Sequence, residues 1–207
     1  MKHIIFFTLV ILLLVAGCQK KEEKKEVLEF TEDSESFTSD KQEEQINAIA
    51  LTDVTEASGI DFTHVNGAFG KKWMPETVGS GGGFIDYNND GWPDIFLVNG
   101  STWSGHDTWV QQPGPALFEN NKDGTFTDVS RRAGLDFSVY GMGCSFADFD
   151  ADGDLDIYLT AVGDNLLLEN SNGVFKDVTR KMGVSGNDPA KGSTPSWSAS
   201  AAWVDVD

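Results

Sequence analysis

Two stretches of this chain carry oxygen donors at metal-ligand spacing. The first is Asp86-Tyr-Asn88-Asn-Asp90-Gly91-Trp92-Pro-Asp94, and the second is Asp148-Phe-Asp150-Ala-Asp152-Gly153-Asp154-Leu-Asp156. A third begins at Asp205-Val-Asp207. Alternate residues of a tightly curled loop turn their side chains inward, so positions 1, 3 and 5 converge on one point. The glycine at position 6 permits a reversal that a β-carbon would obstruct. A carbonyl at position 7 (Trp92, Asp154) and a carboxylate at position 9 complete an all-oxygen set. Such a set suits a hard cation, and calcium above magnesium, because calcium accepts six to eight oxygens in irregular geometry. The expected ligands are Asp86, Asn88, Asp90, Trp92 and Asp94, then Asp148, Asp150, Asp152, Asp154 and Asp156, with Asp205 and Asp207 opening a third site.

An EF-hand would need a bidentate Glu at position 12 and flanking helices. Position 12 is Leu97 or Leu159, and the flanks are short apolar runs, so that arrangement is excluded. The plainer reading of one copy is an Asx-rich turn without an ion. Two full copies in matching contexts weigh against it, because carboxylates packed this closely repel each other.

The elements that must position these loops are strands. Apolar runs precede the loops (Gly82–Ile85, Cys144–Ala147, Ala201–Val204) and follow the complete ones (Ile95–Val98, Leu155–Leu159). The loops start 62 residues apart (86 to 148) and then 57 apart (148 to 205). A second element repeats with them: Leu51-Thr-Asp-Val-Thr, Phe126-Thr-Asp-Val-Ser and Phe175-Lys-Asp-Val-Thr. Asp123-Gly124 and Asn172-Gly173 mark tight hairpin turns. One repeat therefore reads as four strands, and four-stranded repeats of this length indicate a β-propeller. Leu51-Thr-Asp-Val-Thr is expected as an outermost strand of the kind that closes a ring.

Catalytic patterns are absent from the sequence. His64 and His106 are too isolated to form a dyad or a zinc site, and no serine sits on a nucleophile elbow. Gly79-Ser-Gly-Gly-Gly83 lacks the Lys-Ser/Thr and the helix of a P-loop, so close backbone approach explains it better. The insertion Ser101–Pro115 carries Trp103, His106 and Trp109. It reads either as a partner-recognition loop or as a loop folding over its own blade.

The chain has 207 residues, a formal net charge of −18 and a pI near 4.3. That balance disfavours nucleic acid, whose phosphates are bound through Lys and Arg. Residues 1–18 form a signal peptide: a basic start, an apolar stretch too short to span a membrane, and Val15-Ala-Gly-Cys18. This ending resembles a bacterial lipoprotein signal, in which Cys18 carries the lipid. Gln19 after it favours the outer membrane by the same resemblance, and Gln19–Glu23 is similar to a cell-surface export tether of Gram-negative lipoproteins. Residues 19–47 are too polar to fold and are expected as a disordered tether. Cys144, left without a partner, is expected as a small buried side chain.

Phe84-Ile-Asp-Tyr-Asn-Asn-Asp-Gly-Trp-Pro-Asp-Ile-Phe and Phe146-Ala-Asp-Phe-Asp-Ala-Asp-Gly-Asp-Leu-Asp-Ile-Tyr resemble FG-GAP/VCBS repeats, the blades of integrin-α-type propellers. Leu51–Phe62, Met74-Pro-Glu-Thr-Val78 and Gly81–Phe84 are similar to the start of cartilage-acidic-protein-like (ASPIC/UnbV-associated) proteins. The resemblance implies a seven-bladed, calcium-binding, often extracellular propeller with an ASPIC/UnbV domain after it. The chain departs from that pattern in length. The expectation is an all-β, incomplete propeller over residues 48–207: blade 1 at about 80–130, blade 2 at about 142–179, and the first strand of a third at about 198–207. A fragment of a longer reading frame accounts for this. The function expected is a calcium-binding, lipid-tethered scaffold, not an enzyme, that binds a protein or glycan. The alternatives are an enzyme whose catalytic residues lie beyond residue 207, or a truncated product without function.

Overall fold

The computed structural model describes residues 50–106, 113–187 and 195–206. The signal peptide with Cys18, the tether at 19–47, Trp109 and Asp207 lie outside the described residues.

Two antiparallel four-stranded sheets form the body. The first runs β1 (Gly82–Ile85), β2 (Asp94–Leu97), β3 (Ala116–Asn120) and β4 (Phe126–Asp128). The second runs β5 (Gly141–Ala147), β6 (Asp156–Ala161), β7 (Leu166–Ser171) and β8 (Val174–Asp177). Each sheet is a simple meander with strands neighbouring in chain order. Each acidic stretch joins the first two strands of its sheet. The register places Ile85 opposite Asp94 and Ala147 opposite Asp156. The position-9 carboxylate is thus the first residue of the second strand, directly across from the last residue of the first.

The core lies where the blades face each other. Phe96, Val98 and Leu117 of blade 1 and Ile157, Leu159, Ala161 and Leu168 of blade 2 are buried in one cluster. Phe146 meets Phe96 edge-to-face with centroids 6.0 Å apart. A β-carbon on Gly83 would stand 2.7 Å from the Phe146 ring, which is why the glycine run precedes the first loop.

The repeated Asp-Val-Ser/Thr element has a structural job in every copy. Asp128 accepts from the Ser130 N–H (2.9 Å) and its hydroxyl (2.5 Å), and Asp177 binds Thr179 in the same way. These hydroxyls in turn accept from the Leu117 and Leu167 N–H groups at 2.9 Å. The turn that follows reaches the next blade: Phe126 N–H donates to Ser58 O (2.8 Å), and Phe175 N–H donates to Ala133 O (2.9 Å). After Asp177 the same turn tightens into a short helix, α2 (Thr179–Met182), following α1 (Met74–Val78) earlier in the chain. Among the described residues no helix is long and apolar enough to cross a membrane.

Two expected strands are not formed. Leu51–Val54 has no strand, and Leu51 is almost fully exposed because no sheet edge lies beside it among the described residues. Residues 198–206 also lack strand pairing, since the inner strand of a blade bonds within its own blade. They nevertheless dock as β5 does. Ser198 N–H donates to Ala161 O as Gly141 N–H donates to Asn99 O. Trp203 meets Tyr158 edge-to-face at 6.2 Å, repeating the contact of Phe146 with Phe96.

Gly134 holds φ +82° with its missing β-carbon 2.6 Å from Phe175 O, whereas Gly124 at φ +89° faces open space. Gly134→Ala is expected to destabilise by roughly 1–3 kcal/mol more than Gly124→Ala, because strain and overpacking add. Urea unfolding of the two variants measures the difference.

Candidate metal centre

Each acidic loop is first an arrangement of backbone amides around carboxylates. Asp86 accepts from Asp90 N–H (3.0 Å) and Gly91 N–H (2.9 Å); Asp148 accepts from Asp152 N–H and Gly153 N–H, both at 3.0 Å. Asp90 and Asp152 each accept from the residue two ahead, Trp92 and Asp154, at 2.9 Å. Asp94 and Asp156 are fully buried. Asp94 takes the Tyr87 N–H (3.3 Å) and the Asn120 N–H (2.8 Å), and Asp156 takes the Phe149 N–H (2.9 Å) and the Asn170 N–H (2.7 Å). The position-9 carboxylate therefore ties loop, second strand and third strand together.

The expected glycines hold positive φ, +81° at Gly91 and +96° at Gly153. Position 4 does so too: Asn89 has φ 56° and Ala151 has φ 61°. The left-handed region costs an alanine about 1 kcal/mol or more. Closure of the loop imposes it.

In the second loop, Asp148, Asp150 and Asp156 each offer a carboxylate oxygen, and the three lie within 4.8 Å of one another. Two oxygens held about 2.4 Å from one calcium can be at most ~4.8 Å apart, so the spacing fits a shared ion. A carboxylate has about four lone-pair sites, so the amide contacts leave acceptors over. With no imidazole or thiolate in the set, a hard cation is the matching ligand. Burial pushes the Asp156 carboxyl above its ordinary range, and the charges of Asp150 and Asp152 add to the rise although two amides oppose it. Asp150 is also raised, by desolvation first and then by Asp152, Glu169 and Asp148. Glu169 stands outside the nine-residue pattern, and only the pairing of β7 with β6 reveals it as a neighbour.

The first loop repeats the backbone pattern with different charges. Asn88 replaces a carboxylate at position 3. Lys122 places its ammonium 3.1 Å from Asp90 Oδ2. Burial raises the Asp94 carboxyl, helped by Asp90 and Asp86. Desolvation also pushes Asp90 up, but the Trp92 amide, Lys122 and Asn88 outweigh it and leave that carboxyl below its usual value. Asp205 of the third stretch is exposed, and its companion Asp207 lies outside the described residues.

The two loops touch. Asn89 Nδ2 donates to Gly153 O (3.1 Å) and Asp154 Oδ1 (2.7 Å). Deeper, buried Asn170 donates to Tyr87 O (2.8 Å) across the blades and to Leu155 O (3.1 Å) within its own.

Residues 86–159 match the FG-GAP-like repeat family. The match begins at the first ligand of loop 1 and ends just after loop 2. The FG-GAP-like repeat therefore accounts for both loops and the strands between them. Residues 1–19 match the prokaryotic membrane lipoprotein lipid attachment site, which includes Cys18. No curated protein matches the chain.

The insertion after the FG-GAP-like β2 folds inward over the described part of its length. Trp103 packs edge-to-face on Trp73 (4.6 Å) and against Tyr140 (4.9 Å), and His106 stacks on Phe69 (3.9 Å). Cys144 is half-buried against the core, and desolvation pushes its thiol up to about 11.

Ala151→Gly is expected to stabilise the chain by about 0.5–1 kcal/mol by relieving the left-handed backbone. Asn170→Ala is expected to cost roughly 2–4 kcal/mol, because a buried carbonyl (Tyr87) and a half-buried one (Leu155) lose their donor. Thermal melts of both variants give the two signs. Cys144 is expected to resist a thiol-specific disulfide reagent at neutral pH in the folded chain and to react promptly in urea.

Proposed function

We propose that this chain is a calcium-stabilised, lipid-tethered β-propeller scaffold that presents a binding surface for a protein or glycan and does no chemistry of its own. An FG-GAP-like repeat and a lipoprotein attachment site together describe a membrane-anchored, propeller-like protein. The finer reading rests on one observation above all: the Asp148, Asp150 and Asp156 oxygens gather within the span of a single ion at the junction of two strands. An ion there would clamp the first two strands of blade 2 and offset the repulsion among the carboxylates. Lipidation at Cys18 and attachment to the outer membrane, facing the cell surface, follow from the signal sequence in the same reading.

Against an enzyme stands the chemistry of the site. The carboxylates are spaced two residues apart and bound to backbone amides, which suits coordination and not a separated acid–base pair. Trp103 and His106 form part of an aromatic surface with Phe69 and Trp73, and Trp73 is about half-exposed. Aromatic rings at a rim are the kind of group that binds protein or sugar partners.

Extracellular calcium modules work at roughly 10⁻⁴–10⁻³ M. At ten times the dissociation constant, one bound ion stabilises by about 1.4 kcal/mol. The melting temperature is therefore expected to rise with millimolar calcium and fall in chelator, with magnesium much less effective. A melt indifferent to both removes the ions from the account.

A further inference from the structure

The two loops share a backbone but not an electrostatic setting. Loop 2 brings three carboxylates, Asp148, Asp150 and Asp156, within 4.8 Å of one another, and Glu169 adds its charge at Asp150. At the matching positions loop 1 has only two carboxylates, Asp86 and Asp94, because Asn88 is neutral. The corresponding glutamate of blade 1, Glu119, is ion-paired to Arg132 and also accepts from the Tyr87 hydroxyl (3.1 Å). Lys122 then brings a cation to loop 1 itself, 3.1 Å from Asp90 Oδ2, a position-5 ligand.

The hairpins explain the difference. The β3–β4 turn is Asn121-Lys122-Asp123-Gly124, and Lys122 sits at φ 67° within it. Asn120, next to the turn, donates to Asp94, so the turn is held against the loop. The β7–β8 turn is Asn172-Gly173, with no basic residue. Its Asn172 N–H instead donates to Asp154 Oδ2 at 2.7 Å. Among the described residues, the ion pairs that reach this layer, Lys122 with Asp90 and Arg132 with Glu119, are both in blade 1.

We propose that the two loops are unequal cation sites: loop 2 takes a divalent ion first, and loop 1 takes one only by displacing Lys122, its built-in counter-cation. The inference rests on the reading that the loops bind calcium, and it assigns that binding an order. The physical ground is charge count. Affinity at oxygen sites rises with the number of charged ligands. A fixed ammonium about 5 Å from a divalent ion opposes it by about 1–2 kcal/mol in water before screening. Lys122 is half-exposed, so salt must weaken its effect.

The test is calcium titration of the full lipidated chain in detergent, followed by calorimetry at low ionic strength. Two binding steps are expected. Asp150→Asn should abolish or greatly weaken the tighter one. Lys122→Gln should strengthen the weaker one by about 3- to 10-fold, with little change in the tighter one, and the gain should shrink as salt is added. Lys122→Arg, which keeps the charge, should behave like the unaltered chain. Because Lys122 lies on an exposed turn, Lys122→Gln stays informative even if Asp150→Asn fails to fold. Two results overturn the inference alone: calcium binding that ignores Lys122→Gln, or loss of the weaker step in Asp150→Asn. A chain that binds no calcium at millimolar concentration overturns the calcium reading together with it.

Discussion

Like charges gathered at a strand junction are the constraint around which this molecule is arranged. A carboxylate at position 9 is buried with no cationic side chain against it among the described residues, and backbone amides compensate it. Asp94 and Asp156 each draw one amide from their own loop and one from the third strand of the blade. The same bonds fix the loop, set the register of β1 with β2 and of β5 with β6, and locate the hairpin that follows. Burial raises the Asp94 and Asp156 carboxyls, and repulsion from the neighbouring aspartates adds to the rise. A divalent cation is the simplest group that would relieve it.

Blade-to-blade attachment uses a different set of contacts. The turn after each Asp-Val-Ser/Thr hands a carbonyl to the outer strand of the next blade, as Ser58 does to Phe126 and Ala133 to Phe175. An aromatic pair repeats along the inner strands, Phe146 on Phe96 and Trp203 on Tyr158. Asn89 and Asn170 close the junction between the acidic loops. Stability in such an array is a sum of blade and interface contributions. A cation clamping one blade would also steady the face on which the next one sits.

The side-chain chemistry is divided in the same way. The loop end holds the charge, where backbone geometry is tight and ion binding is the matching chemistry. The insertion after β2 and the segment around α1 hold the aromatic groups, Phe69, Trp73, Trp103 and His106, packed on each other over Tyr140. A rigid sheet carrying a charged end and an aromatic rim is the layout on which the proposed scaffold role rests.

Much of this was legible in the residues alone. Alternation of apolar runs with Asp-x-Asp/Asn-x-Asp-Gly, and turns at Asp123-Gly124 and Asn172-Gly173, determine four strands per blade, because side-chain period and turn chemistry are local properties. The position-9 aspartate was readable from spacing as the carboxylate that closes the loop. The left-handed Ala151 was not, since alanine carries no signal for that conformation and the loop closure imposes it. Nor were Glu169, Lys122 and Asn170, which lie outside the repeated stretch and reach it only when β3 pairs with β2 and β7 with β6. The sequence by itself therefore determined the donor types and the strand layout. Which charges share a point, and which loop has a lysine already beside it, was decided by strand pairing, because electrostatic interaction depends on distance in space and not along the chain.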